Sequence, residues 1–199
     1  MRIYDISQEV FGSKVFPGDP APDMKAVMRI AEGGTCNLSA FFMCAHNGTH
    51  VDAPFHFYEK GKTIDETDLG HYIGIAYVAE HTGVVTANDA ITILQKARET
   101  DRRSRKRILI KGKAVVSLEA AKVFAEAGIL LLGNESQTVG PEEDSREVHL
   151  QLLGAEVTLL EGIRLDEVEE GVYFLNAAPI NLGGVDGAPC RAVLVELEI

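Results

Sequence analysis

His46-Asn47-Gly48-Thr49-His50-Val51-Asp52-Ala53-Pro54-Phe55-His56-Phe57 brings three histidines and an aspartate together around a glycine and a proline. A continuous helix is a poor reading here, because Gly48 is a weak helix former and Pro54 lacks the N–H the helix ladder needs. In extended backbone, side chains alternate between faces, so His46, His50, Asp52 and His56, all at even positions, would point to one side. The segment is therefore read as extended or looped, with four polar groups on a shared face. Imidazole nitrogens and a carboxylate oxygen suit Zn²⁺, and also Mn²⁺ or Fe²⁺, and the lack of neighbouring thiolates argues against a closed structural zinc site. An open site leaves room for a water whose pKa the ion lowers towards neutrality, the expected nucleophile.

Downstream, the chain alternates element types. A helix is expected over 88–99 with Ile91, Leu94 and Ala97 on its apolar side, then a buried strand at Ile108-Leu109-Ile110. Ser117 can cap a helix carrying Leu118, Ala121, Phe124 and Ala125, Gly128 can end it, and Ile129-Leu130-Leu131-Leu132 is the next strand. Pro141-Glu142-Glu143-Asp144 has the composition of a first helical turn, and Gly154 can stop that helix. Strands follow at Val157–Leu160 and Val172–Leu175, and Val193, Val195, Leu197 and Ile199 alternate in a closing strand. Upstream, Pro17-Gly18-Asp19-Pro20, Gly33-Gly34 and Gly48 punctuate strand-like pieces with no helical pattern. The expectation is an α/β fold with a mixed sheet and a β-rich N-terminal half. The basic run from Arg98 to Arg107 reads as a solvated helix end and loop.

With 199 residues, 46% of them hydrophobic, the chain suffices for one core and is short for two, so residues 1–199 are read as a single domain. A net charge of -11 argues against a nucleic-acid surface or an anionic membrane face, both of which need Lys and Arg to meet phosphate, and favours a small-molecule substrate. No apolar run resembles a signal peptide or approaches a membrane span. Cys36, Cys44 and Cys190 form no C-x-x-C pair, so neither a disulfide framework nor a thiolate knuckle is suggested. Reduced thiols and a cytoplasmic location are expected, with Cys44 a small hydrophobe rather than a nucleophile. Phe41, Phe42, Phe55, Phe57 and Tyr72 are read as core ahead of an aromatic substrate wall.

The stretch 46–57 resembles the H-x-G-T-H-x-D-x-P-x-H-F signature of the cyclase-like metal hydrolases, the group that includes bacterial kynurenine formamidase. Phe16-Pro17-Gly18-Asp19 is similar to that family's aromatic-Pro-Gly-Asp turn. Glu147-Val148-His149 and Leu160-Glu161-Gly162 are similar to its later His and Glu segment, and Asp186-Gly187-Ala188-Pro189-Cys190-Arg191-Ala192 to its ending. The resemblance implies a swivelling β/β/α domain, usually a homodimer or homotetramer in which a neighbouring chain can approach the site.

It also implies two metal ions, Zn²⁺ or alternatively Mn²⁺. His46, His50 and Asp52 would hold one, and Asp52 would reach a second completed by His149 and Glu161. Glu161 counts among the catalytic residues too. His56 would be the general acid/base, since imidazole titrates near neutrality and can protonate a departing amine, with a further ligand role as its alternative. Gly48 would give a tight backbone, Thr49 would orient an imidazole by a hydrogen bond, Phe16 would meet the substrate, and Arg191 would either face a substrate carboxylate or make a structural ion pair. The implied reaction is hydrolysis of a C–N amide bond, with arylformamidase action on N-formylkynurenine in tryptophan catabolism leading. Phe16 stands where those enzymes commonly carry tryptophan, which keeps a cyclic amide of the isatin kind, or a lactone, open as substrate. A non-catalytic metal- or ligand-binding protein is the remaining alternative, and the intact His56, Glu161 and ligand histidines argue against it.

Overall fold

Thr86 starts the first helix, α1 (Ala87–Thr100), through a reciprocal cap: its hydroxyl accepts from the Asp89 N–H while the Asp89 carboxylate accepts from the Thr86 N–H at 2.8 Å. Such a cap contributes about 1 kcal/mol. The helix buries Ala90, Ile93 and Ala97. The expected face was misplaced by part of a turn, since Ile91 is exposed; two alanines on the inner side let the backbone pack closely. Helix α2 (Leu118–Glu126) is capped by Ser117 as expected, and buries Ala120, Ala121 and Phe124. The third helix, α3 (Arg146–Leu153), begins five residues later than Pro141 suggested. Residues 141–144 instead close a turn, with the Asp144 N–H donating to the Pro141 carbonyl at 3.2 Å.

The computed structural model describes residues 1–196. Its strands are β1 (Ile3–Asp5), β2 (Asp23–Met28), β3 (Leu38–Phe42), β4 (His50–Asp52), β5 (Ile73–Glu80), β6 (Gly83–Val85), β7 (Arg107–Lys111), β8 (Ala114–Val116), β9 (Leu131–Asn134), β10 (Thr158–Glu161), β11 (Gly171–Asn176), β12 (Gly187–Pro189) and β13 (Val193–Glu196). Leu197 and Ile199, expected in the closing strand, lie outside the described residues.

Among the described residues, nine strands form one mixed sheet in the order β1-β13-β11-β5-β7-β9-β10-β4-β12. The neighbours β5-β7-β9-β10 are parallel because α1, α2 and α3 return the chain between them; the flanking pairs are antiparallel. Both faces of the centre are covered, so its strands are apolar at successive positions rather than alternately. Tyr77, Ile108, Ile110, Leu132 and Leu159 face the helices, and Val78, Leu109, Leu131 and Leu160 face a second cluster with Ile6, Val51, Tyr72, Ile163 and Leu194.

β2 and β3 form a separate antiparallel hairpin with a bulge between Ala26 and Met28. Every residue of both strands is exposed, including Met24, Val27, Leu38, Phe41 and Phe42. The β-rich first half and the α/β remainder match the reading of the sequence. No helix among the described residues is long and apolar enough to cross a membrane.

Candidate metal centre

The site is built where β4 lies between β10 and β12. Directly opposite residues of an antiparallel pair share a face, and the register places His50 opposite Glu161 and Asp52 opposite Gly187. Within β4, His50 and Asp52 share a face, as alternation predicts, with Val51 turned into the core. His46 and His56 reach the same place by other means: His46 sits in the turn before β4, and His56 ends a 3-10 turn opened by Pro54. The four even-numbered residues do converge, through turns rather than one extended run. Gly48 has φ +68°, which the turn leading into β4 requires. Gly187 is a glycine for a different reason: a Cβ there would lie 2.8 Å from His46 Cε1.

His149 of α3 completes the cluster. Its Nε2 lies 3.3 Å from Glu161 Oε1 and 3.8 Å from Asp52 Oδ2; His50 Nε2 lies 3.5 Å from both Asp52 Oδ1 and Glu161 Oε2. His46 Nδ1 is 2.9 Å from Asp52 Oδ1. His50, Asp52, His149 and Glu161 are all buried. The ligand atoms of His46, His50 and Asp52, and those of Asp52, His149 and Glu161, each lie within 4.8 Å of one another.

The hydrogen bonds show which nitrogens are available. His50 Nδ1 donates to the Gly48 carbonyl at 3.1 Å, and His149 Nδ1 to the Ser145 carbonyl at 2.9 Å. A carbonyl only accepts, so each Nδ1 carries hydrogen and a neutral ring turns the lone pair of Nε2 towards carboxylate oxygens. Lone pairs facing lone pairs in a buried place call for a cation between them. Moreover, the ion-pair partners of Asp52, Glu161 and Asp186 are imidazoles. The donor set of nitrogen and oxygen fits a divalent metal ion.

Without metal, protons supply that positive charge. Burial alone would push His46 down, but the carboxylates of Asp52 and Asp186 raise it to about 11. Burial likewise opposes protonation of His149, and Glu161 and Asp52 raise it to about 9. Asp52 is held below the usual carboxylate range by His46 against its own burial, and Glu161 by His149 and His50 against burial and the Asp52 charge. Asp186 is held low by hydrogen bonds from His46 and His56.

For chelated protein the signs follow. The raised imidazoles contribute stability that is complete below the unfolded value of 6.5 and is lost as pH rises through about 9 and about 11. The lowered carboxylates contribute above their unfolded range and lose that contribution as pH falls. Chelated protein should therefore show its highest Tm between about pH 5 and about pH 6.5 and a falling Tm towards about pH 9. Scanning fluorimetry in EDTA checks this, and a Tm that climbs over the alkaline half contradicts it.

A cleft of about 170 Å³ opens onto the cluster, lined by Phe16, Asp19, His46, His50, His56, Phe57, Gln137, Thr138, Ser145, His149 and Glu161. Phe16 is thus where a substrate-binding residue would be. Phe57 stacks on His149, with centroids 4.8 Å apart; Tyr72 is buried in the core, and Phe41 and Phe42 are on the exposed hairpin. Arg191 is not brought to the cleft. Its guanidinium borders a separate groove with Phe11, Phe41 and Ile180 and pairs with Asp5 at 2.5 Å, which is the structural ion pair and not the substrate contact. Thr49 also differs from expectation: its hydroxyl donates to the Gly162 carbonyl at 2.7 Å and accepts from the Gln8 N–H at 2.9 Å. It ties the N-terminal segment to the end of β10, and main-chain carbonyls orient the imidazoles instead.

Asp186 is the site residue the sequence did not single out. Its Oδ2 lies 2.8 Å from His46 Nε2 and 3.1 Å from His56 Nδ1. The available signal was the acidic residue opening Asp186-Gly187-Ala188-Pro189.

Comparison with known proteins identifies the family. The family model Cyclase matches residues 4–141. The kynurenine formamidase of Erythrobacter litoralis is 31% identical over 98% of this chain and 94% of its own length. A solved structure described as a predicted metal-dependent hydrolase from Bacillus stearothermophilus superposes with a TM-score of 0.80 at 27% identity, covering 97% of each chain. Isatin hydrolase A from Labrenzia aggregata shares the fold, with a TM-score of 0.81 at 19% identity over 98% of this chain and 93% of that one.

Proposed function

Since this chain belongs to the cyclase family and is a metal-dependent hydrolase, we propose that it cleaves the formamide of N-formylkynurenine, releasing kynurenine and formate. The observation that carries the reading is the convergence of five metal-binding side chains, His46, His50, Asp52, His149 and Glu161, beside His56 in one cleft flanked by Phe16 and Phe57. In our reading His46, His50 and Asp52 would hold one ion, and Asp52, His149 and Glu161 a second, Zn²⁺ or alternatively Mn²⁺. When bound, such ions polarise a carbonyl oxygen and lower the pKa of water.

The chain's own residues do the rest. Phe16 and Phe57 offer apolar surface to an aryl ring and help exclude water from its formamide. His56 Nδ1 is engaged by Asp186, which leaves Nε2 as the nitrogen that handles protons. Water adds to the formyl carbon, the C–N bond breaks, and His56 passes the water's proton to the departing arylamine nitrogen. Glu161 is held for its part by the Val139 N–H, which donates to Oε1 at 2.8 Å.

The test is hydrolysis of N-formylkynurenine by protein reconstituted with Zn²⁺ or Mn²⁺, run beside isatin and an aryl lactone, with metal content measured by mass spectrometry. A kcat/KM highest on the linear formamide, at two ions per chain, supports the reading. A metal-loaded protein that prefers the cyclic amide or the lactone replaces the substrate and keeps the site.

We also propose a homodimer or homotetramer in the cytoplasm, assembled through the β2–β3 hairpin. Phe41 is 64% and Phe42 60% exposed, beside exposed Met24, Val27 and Leu38. With each aromatic side chain amounting to about 150–250 Å², the hairpin leaves on the order of 500 Å² of apolar surface in water. Two copies meeting there would bury on the order of 1,000 Å², the threshold for a specific interface. Sedimentation should show an oligomer, and Phe41→Glu should shift it to monomer. A parent protein that sediments as a monomer at micromolar concentration contradicts this.

A further inference from the structure

One carboxylate oxygen serves two imidazoles of different function. Asp186 Oδ2 is 2.8 Å from His46 Nε2 and 3.1 Å from His56 Nδ1, and the two rings stand 4.2 Å apart at a 32° tilt. A carboxylate oxygen can only accept, so both nitrogens must carry hydrogen when these bonds form. For His46 this directs the lone pair of Nδ1 towards Asp52, the side where His50 and Asp52 can share an ion. For His56 it leaves Nε2 as the nitrogen available for proton transfer.

We propose that Asp186 is a positioning residue which fixes the tautomers of His46 and His56 together, coupling a metal ligand to the acid/base through one shared acceptor.

The backbone around Asp186 is held to this task. The Ala53 N–H donates to the Asp186 carbonyl at 2.9 Å and the Ile64 N–H to the Val185 carbonyl at 2.9 Å, pinning residues 185–186 to the segment that follows β4. Gly187, next in sequence, leaves the space in which the His46 ring stands. Asp186 therefore arrives from the far end of the chain on a rigid edge, and its carboxylate cannot follow either ring independently. Two bonds to a single oxygen also mean that any displacement of His46 is felt at His56.

The inference rests on the proposed roles of His46 and His56, and its test is chosen to survive failure of the proposed substrate. In the unaltered Zn²⁺-loaded protein, ¹⁵N imidazole spectra should show His46 protonated at Nε2 and His56 protonated at Nδ1. The opposite tautomer at either ring overturns the inference with no variant needed. In Asp186→Ala, both rings lose the shared acceptor at once. Loss of a carboxylate behind a metal-ligating histidine lowers metal affinity or activity about 10–100-fold. Zn²⁺ affinity, read by competition with a chelator, should fall within that range, and the His56 tautomer should become mixed. On whichever amide or ester the protein turns over, kcat should fall by a similar factor with KM little changed. A variant with the parent's Zn²⁺ affinity and tautomers overturns the proposal, as does loss of a third Zn²⁺, which would make His46, His56 and Asp186 a metal site of their own.

Discussion

Asp52→Asn should lose metal and nearly all turnover. Asp52 belongs to both buried ligand groups, with Oδ1 facing His46 and His50 and Oδ2 facing His149. Asparagine keeps the shape of the side chain and removes its charge and one oxygen. The remaining Nε2 atoms then share only Glu161, too few donors to hold two ions. Loss of an ion that stabilises transition-state charge is worth several kcal/mol, so kcat/KM should fall about 10³-fold or more, with at least one Zn²⁺ missing per chain. The chelated variant should also melt below the chelated parent, because His46 is left buried without the more deeply buried of its two counter-charges. Metal analysis, steady-state kinetics and scanning fluorimetry check these together. A variant with full metal content and more than about a tenth of the parent's kcat removes Asp52 from the ligand set.

His56→Ala should separate chemistry from binding. His56 lies in the 3-10 turn at the rim of the cluster, its side chain 28% exposed, and its one candidate ligand group, with His46 and Asp186, lies outside the two that we propose hold metal. Removing it therefore leaves the metal content unchanged and costs the fold little, since the turn is set by Pro54 and by the Tyr58 N–H bond to the Pro54 carbonyl. General acid/base catalysis contributes about 10²–10⁴-fold, and kcat should fall within that range while KM moves little. Substrates with better leaving groups should recover part of the loss, because a departing group that needs no proton makes His56 less necessary. Simultaneous loss of metal and activity would instead make His56 a ligand, the alternative left open by its spacing from His46 and Asp52.

Both variants concern a segment whose convergence on one place was legible from residues alone, while the roles of Asp52 and His56 came with the family resemblance and are proposals; the reason is local, because candidate ligands within twelve residues need no long-range information. The same holds for α1 and α2, where caps and periodicity lie within a few residues, although periodicity alone chose Ile91 where packing buries Ile93. Pro141 misled for a related reason. Proline followed by acids fits a first helical turn and a β-turn equally well, and the Asp144 bond to Pro141 is visible only in three dimensions. Sheet order was illegible because β4 pairs with β10 and β12, partners more than a hundred residues away. Asp186 was missed on the same ground, since an aspartate before Gly187 reads as turn chemistry until β12 places it against His46.

The pairing of β1 with β13 joins Ile3 to Val195 and Asp5 to Val193. During synthesis the first strand made must wait for one of the last, and so must the candidate metal centre, which lacks Glu161, and Asp186 beside it, until most of the chain has emerged from the ribosome. The hairpin with its bare Phe41 and Phe42 is by then long exposed. Contacts of such long sequence separation slow folding, and a hairpin with exposed apolar side chains is the kind of segment that holdase chaperones recognise. Yield in a recombinant host should accordingly be governed less by the stability of the finished enzyme than by how the nascent chain is sheltered before its two ends can meet.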